Sequence, residues 1–238
     1  DNVNTEYIGP QNIKIDIAYE DKHLIIINKE NNIICHPAAG HNNGTIANGL
    51  IYMFPELKNL PRAGLIHRLD KNTTGLLIIA RTIESYTALV KSMQEREISR
   101  HYIAYCHGLV MKNGLINQPI SRHKTDRKKM GVSINGKEAI TEYSVIKNYK
   151  RSTKLKLKLQ TGRTHQIRVH MQYIGFPIIG DQTYGLNTYK SNNIKSFARQ
   201  ALHAESLSFT HPLTNKNINI QSELSDDLIN LENILNGE

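Results

Sequence analysis

Short apolar runs alternate along the chain with polar breaks rich in Gly, Asn and charge. DIAYEDKHLIIINKE, residues 16–30, reads as two short strands around an Asp-Lys turn. CHPAAGHNNGTIANGLIYMF opens as a Gly- and Asn-rich loop. It becomes a helix from about Thr45, whose hydroxyl is placed to cap it. AGLIHRLD, residues 63–70, reads as a strand ending in charge. GLLIIA, residues 75–80, reads as another, apolar at every position and therefore buried on both faces. Tyr86, Leu89, Val90 and Met93 recur at i, i+3, i+4 and i+7. They predict a helix with Glu84, Lys91 and Glu95 on its outer face. SRHYIAYCHGLV is a strand. STKLKLKLQ alternates, with Leu155, Leu157 and Leu159 facing inward and Lys154, Lys156 and Lys158 outward. Thr164 is expected to cap a short helix that shares Ile167, Met171 and Ile174 on one face and ends at Gly175. QALHAESLSF is a further strand. A last helix starts near Ser225 and buries Leu228, Leu231 and Leu235. Strands outnumber helices without regular alternation. The expected class is therefore α+β, with a mixed, mostly antiparallel central sheet and flanking helices. Residues 1–15 are polar and read as an N-terminal arm, and residues 16–238 as one domain.

Composition narrows the function. Hydrophobic residues are 39% of 238, enough for a substantial core. No apolar run is long enough to cross a membrane, and no secretory leader is legible. Cys35 and Cys106 are the only cysteines and have no metal-ligand spacing, which suits a reducing, cytoplasmic compartment. The net charge of +9 predicts a polyanionic partner, most simply nucleic acid. Arg122, His123, Lys124, Arg127, Lys128 and Lys129 gather in one loop. With the Lys154/Lys156/Lys158 stripe they offer patches able to follow a phosphate backbone, or simply solvated faces.

Three stretches carry candidate chemistry. In HRLDKNTTG, Asp70 stands between Arg68 and Lys71, whose charges favour its ionised form and suit a nucleophile or base. Asn72, Thr73, Thr74 and Gly75 are turn formers that would fix it on a tight loop. The competing reading is a solvated turn with a surface ion pair. In QTGRTHQIRVHMQ, Arg163 and Arg168 bracket a helix start, where anions bind. This is a basic surface helix or an anion clamp. His165 and His170 lie five apart and do not form an i, i+4 metal pair, so no metal is expected. Tyr102 and Tyr105 follow Arg100 and His101 on one strand, as core residues or as a platform for an extruded base. No phosphate-binding glycine motif and no nucleophile elbow occurs, and no cofactor is expected.

GLIHRLDKNTTGLLIIART resembles the signature of the RluA-type pseudouridine synthases. YEDKHLIIINK with the following CHP, REISRHYIAYCHG, LQTGRTHQIRVHMQYIGFPIIGDQTYG and RQALHAESLSFTHP resemble further motifs of that family. INQPISRHKTDRKKM and GKEAITEYSVIK lean toward its large-subunit ribosomal RNA synthase D type. The resemblance implies helices around a sheet with a basic RNA-binding cleft. It implies that Asp70 is the catalytic carboxylate and that Arg68 enters the stack vacated by the target uridine. Tyr102 would stack on the extruded base, and Arg168 would pair with the carboxylate. His67, Lys71, Arg163, Arg122, Lys124, Arg127 and Lys128 are the further expected RNA contacts. The implied partner is RNA, specifically large-subunit ribosomal RNA, with no DNA, no membrane and a monomeric chain. Many D-type members carry a small S4 RNA-binding domain ahead of the catalytic one, and none is expected within these residues. Glu30 stands where Pro is usual after Lys29, and Arg81 where Lys is more usual. Two rivals remain. One is an N-glycosidic hydrolase, which needs two carboxylates, Asp181 being the second candidate. The other is a catalytically silent RNA-binding ribosome-assembly factor.

Overall fold

Leu24 to Ile27 and Leu76 to Ala80 are wholly removed from solvent in the computed structural model, and their strands pair with each other. The structure describes residues 8–37, 43–126, 129–185 and 197–237. These fall into two compact units, one running to Glu97 and including Thr210–Asn217, the other from Ile98 to Phe209 and from Ile218 onward.

In the first unit, β1 (Asp16–Glu20), β2 (Leu24–Lys29) and β3 (Thr74–Ala80) form an antiparallel set in the order β1-β2-β3. The register runs from Leu24 opposite Ala80 to Lys29 opposite Gly75. Asp21 closes the β1–β2 turn, its Oδ1 accepting from His23 N (2.7 Å) and Leu24 N (2.9 Å). Two helices follow the sequence signals. In α1 (Ile46–Met53), Thr45 caps as expected and Asn48 completes the capping box. In α2 (Ile83–Gln94), Thr82 and Ser85 do the same. Leu89 is buried on α2, whereas Glu84, Lys91 and Glu95 are exposed.

The structure corrects two expectations in this unit. The described part of the polar arm lies along α1. Gln11 N donates to Asn48 O (3.1 Å), and Asn48 Nδ2 donates to Gly9 O (2.8 Å). A Cβ at Gly49 would sit 2.9 Å from Ile15 Cδ1, so this glycine lets the segment approach. Residues 1–7 are outside the described residues. AGLIHRLD, in turn, is not a strand. Pro61–Gly64 forms a 3₁₀ turn in which Arg62, Ala63 and Gly64 have φ of 53°, 52° and 77°. Consecutive left-handed residues cannot enter a ladder. A Cβ at Gly64 would meet Ala80 O at 2.1 Å, so only glycine permits this pass over β3. Leu65 and Ile66 then meet β3 through single contacts, a Leu65–Ile79 bridge and Ile66 N donating to Ile78 O (3.3 Å).

In the second unit the strands are β4 (Ser99–His107), β5 (Gly114–Asn117), β8 (Ile140–Asn148), β9 (Ser152–Leu159) and β10 (Leu202–Thr210), ordered β10-β4-β9-β8-β5, with β11 (Asn217–Gln221) beside β10. A separate hairpin joins β6 (Ile120–Arg122) to β7 (Met130–Val132). The pairs β10–β4, β4–β9, β9–β8, β8–β5 and β6–β7 are antiparallel. The Leu155/Leu157/Leu159 face of β9 is buried as predicted. Lys154 is not left in water, because its Nζ pairs with Glu232 at 2.8 Å. Glu232 lies on the last helix, α4 (Asp226–Gly237), and also accepts from Tyr105 and Tyr149 hydroxyls at 2.8 Å. Leu228, Leu231 and Leu235 bury the helix face expected of them. The remaining helix, α3 (Gln166–Tyr173), is capped differently from expectation. Its N-cap is His165 at φ 56°, with no side-chain cap, and Thr164 takes no such part. Gly175, at φ 85°, ends it as predicted.

The fold is thus α+β, with mostly antiparallel pairing, one parallel bridge (Ile34 to Thr45) and four helices among the described residues. No helix among them is long and apolar enough to cross a membrane.

Candidate active site

The Asp70 loop is held from inside by three side chains of the first unit. Cys35 Sγ donates to Leu69 O at 3.2 Å and accepts from Leu69 N at 3.4 Å, gripping the residue before Asp70 on both sides. Burial pushes the Cys35 thiol up, against the backbone of Leu69 and the charges of Lys29 and Arg68, while Asp70 adds to the rise. Lys29 is 1% exposed, and its Nζ donates to Glu30 O (2.8 Å) and Lys71 O (2.9 Å), tying β2 to the residue after Asp70. His67 is buried and its Nε2 accepts from Ile78 N at 3.1 Å, so the imidazole shapes the loop from its interior. Thr73 N donating to Asp70 O (3.0 Å) closes the turn. On this frame Asp70 is half-buried, whereas Arg68 and Lys71 are exposed. The arrangement is a fixed carboxylate with cationic side chains on either side, which suits attack on, or proton removal from, an electron-poor sugar carbon.

In the second unit, Arg168 lies in the first turn of α3 and is bidentate to Asp181. Nε donates to Oδ2 at 2.7 Å and Nη2 to Oδ1 at 2.9 Å. Asp181 also accepts from Thr183 N (2.9 Å) and Tyr184 N (3.0 Å), and its side chain has no exposure. Burial works against its charge, but the guanidinium and then the two amides outweigh it and hold the carboxyl below its ordinary range. Such a carboxylate is committed to a buried ion pair and shielded from solvent. The hydrolase reading that needed Asp181 as a second catalytic carboxylate fails on this point. The Tyr184 ring lies 4.9 Å from the Arg168 Cζ. Its hydroxyl meets His165 Nδ1 and accepts from Met130 N, each at 2.8 Å.

Gln166 organises the loop ahead of α3, and nothing in its polarity or spacing advertises it. It is buried, and its Oε1 accepts from Thr161 Oγ1 (2.8 Å) and Arg163 N (3.0 Å). Its Nε2 donates to Ile140 O and Thr141 Oγ1, each at 3.0 Å. Lys29 is equally unmarked in sequence as a site residue. Its one signal is a cation closing the strand LIIINK on an inward position.

The other expected residues divide by place. Tyr102 is buried on β4, 4% exposed. Arg163 is half-buried with Nε donating to Glu138 O (2.8 Å). Arg122 is exposed at the end of β6, and Lys124 is exposed in the loop that leads from β6 towards β7, as expected. That hairpin is seated on α3 by Ile120, Val169 and Tyr184, with Met130 and Val132 packed against them. Arg127 and Lys128 lie outside the described residues. His170 is buried between Thr141 Oγ1 (2.8 Å) and Gln118 O (2.9 Å). Among the described residues no group of three His, Cys, Asp or Glu is placed to hold a metal.

A family model described as RNA pseudouridylate synthase matches residues 23–173. The ribosomal large subunit pseudouridine synthase D of Haemophilus influenzae is 44% identical over 236 residues, covering 96% of this chain and 73% of that protein. The protein of the same name from Escherichia coli is 41% identical over 237 residues with the same coverage. The solved structure of human RNA pseudouridylate synthase domain containing 4 superposes with a TM-score of 0.75 at 23% identity, covering 93% of each chain, and shows the same fold.

Proposed function

The chain belongs to the RNA pseudouridylate synthase family, and we propose that it isomerises uridines of large-subunit ribosomal RNA, with Asp70 as the reacting carboxylate. The observation that carries this reading is the Asp70 loop itself. The backbone on either side of a half-buried Asp70 is gripped by Cys35 at Leu69 and by Lys29 at Lys71, and exposed Arg68 and Lys71 flank the carboxylate in sequence. The RNA substrate rests on the relatives' names together with the chain's +9 charge.

The reaction breaks the C1′–N1 bond, turns the uracil and joins C1′ to C5. The hydrogen of C5 leaves as a proton and N1, freed from the sugar, takes one up, so nothing is oxidised and no group is donated. Asp70 acts at the sugar, by attack on the anomeric carbon or by taking a sugar proton. The base must first leave its stack, at a cost of roughly a few kcal/mol. Exposed Arg68 is suited to fill the gap, because a guanidinium plane stacks well on bases. Tyr102 and Arg168 are proposed for the roles their motifs imply, stacking on the uracil and keeping the carboxylate charged.

The test uses RNA labelled with tritium at uridine C5. Release of label to water with the base still attached to the chain is the expected result. Asp70→Asn is expected to remove it by about 10⁴-fold or more, the scale seen when an obligatory catalytic group is lost. Label release undiminished in Asp70→Asn would overturn the assignment. Free uracil would point to hydrolysis instead. Mapping pseudouridine in ribosomal RNA of cells lacking the gene tests the substrate.

A further inference from the structure

Arg100 is 6% exposed on β4, two residues before Tyr102, so both side chains leave the strand on the same face. Its Nε is buried with no hydrogen-bond partner, and among the described residues the guanidinium forms no ion pair. A buried cation without an anion opposes folding, and native proteins rarely keep one unless a ligand completes it. The chain elsewhere obeys that rule. Buried Arg168 and Arg199 are each bidentate to an aspartate.

The way to this guanidinium passes Gly162. That residue is exposed, and a Cβ built on it would stand 3.0 Å from Arg100 Nη1 and 3.7 Å from Nη2. Thr161 and Arg163 on either side are pinned by Gln166, so the loop is fixed over Arg100. The missing side chain at 162 leaves Nη1 uncrowded on the side of this exposed residue. A planar cation presented this way matches an oxyanion that accepts two parallel N–H bonds.

We propose that Arg100, reached beside Gly162, binds a phosphate of the RNA backbone close to the nucleotide engaged by Tyr102. This rests on the RNA-modifying reading above and adds a substrate contact to it. One phosphate neutralised by one guanidinium has a distinct signature, because each such contact contributes about 0.7 to 0.9 to the slope of log affinity against log salt. A purely structural role for Arg100 would not move that slope.

The experiment measures binding of a ribosomal stem-loop RNA over a salt series, with tritium release and thermal unfolding run in parallel. Arg100→Met is expected to bind about tenfold or more weakly, with the slope shallower by about 0.7 to 0.9. Arg100→Lys is expected to keep the slope. Gly162→Ala, whose methyl would crowd Nη1, is expected to weaken binding several-fold at unchanged unfolding temperature. If Arg100→Met does not fold, the lysine and alanine variants decide. Wild-type affinity and slope in both Arg100→Met and Gly162→Ala, with wild-type tritium release intact, overturn this proposal alone. A wild-type chain that neither binds the RNA nor releases tritium overturns the reading beneath it.

Discussion

Arg168 and Asp181 face each other in a bidentate pair at 2.7 and 2.9 Å, with side-chain exposures of 7% and 0%. Thirteen residues of chain separate them, and the pair joins α3 to the turn that carries Tyr184. The guanidinium is thereby set in one orientation, with two of its five N–H donors used on Asp181.

Breaking that pair is expected to be expensive. Asp181→Asn leaves a buried cation facing a neutral amide and is expected to lower stability by about 3–5 kcal/mol in urea melts at pH 7. The folded-state carboxyl lies below its ordinary value, so its contribution is present above about pH 4 and is lost as pH falls further. The variant is therefore expected to close on the wild type in melts below pH 3. A constant difference between them from pH 7 to pH 2 would contradict the assignment.

Lys29 supports a different part of the molecule. Its Nζ donates to Lys71 O, the residue immediately after Asp70, and to Glu30 O at the end of β2. Lys29→Met is expected to lower stability by about 1–3 kcal/mol and to reduce kcat more than it raises KM, since the carboxylate loosens while exposed Arg68 and Lys71 stay. Faster amide exchange over residues 70–73 is the accompanying sign. Steady-state kinetics and exchange on the same sample check both.

His203 sets a second pH dependence. It is 1% exposed, with Nε2 2.9 Å from Ser222 Oγ, and burial, helped by the charge of Arg199, brings its pKa down to about 4. Burial brings His107 to about 4 as well. For a histidine depressed from 6.5, stability is fully present above pH 6.5 and declines as pH falls toward 4. Each of the two is expected to contribute about 3 kcal/mol to that decline. His203→Gln should make the decline of urea midpoints between pH 6.5 and 4.5 shallower, the rest being left to His107 and to His101 and His170, which burial also lowers. An unaltered slope would show that His203 does not titrate in this window.

Local signals served well where one local force dominates. The cap of α1, the alternation of β9 and the apolar face of α4 follow from side-chain oxygens and periodicity alone. The HRLD motif likewise marked Asp70 by its neighbours. Expectation failed where distant residues override the local pattern. AGLIHRLD has the composition of a strand, yet close packing of Gly64 against Ala80 O imposes left-handed backbone. Lys154 belongs to an outward row, yet α4 brings Glu232 to it.

By itself, then, the order of residues determined the α+β class, the basic character and the candidate carboxylate, because hydrophobic period, net charge and motif spacing are properties of neighbours along the chain. Tertiary structure alone decided that Asp181 is sealed against Arg168, that Lys29 and Cys35 carry the Asp70 loop, and that Arg100 is buried without an anion among the described residues. Each of these depends on which groups far apart in sequence share a small volume without water, where an unmet charge or hydrogen bond is most costly.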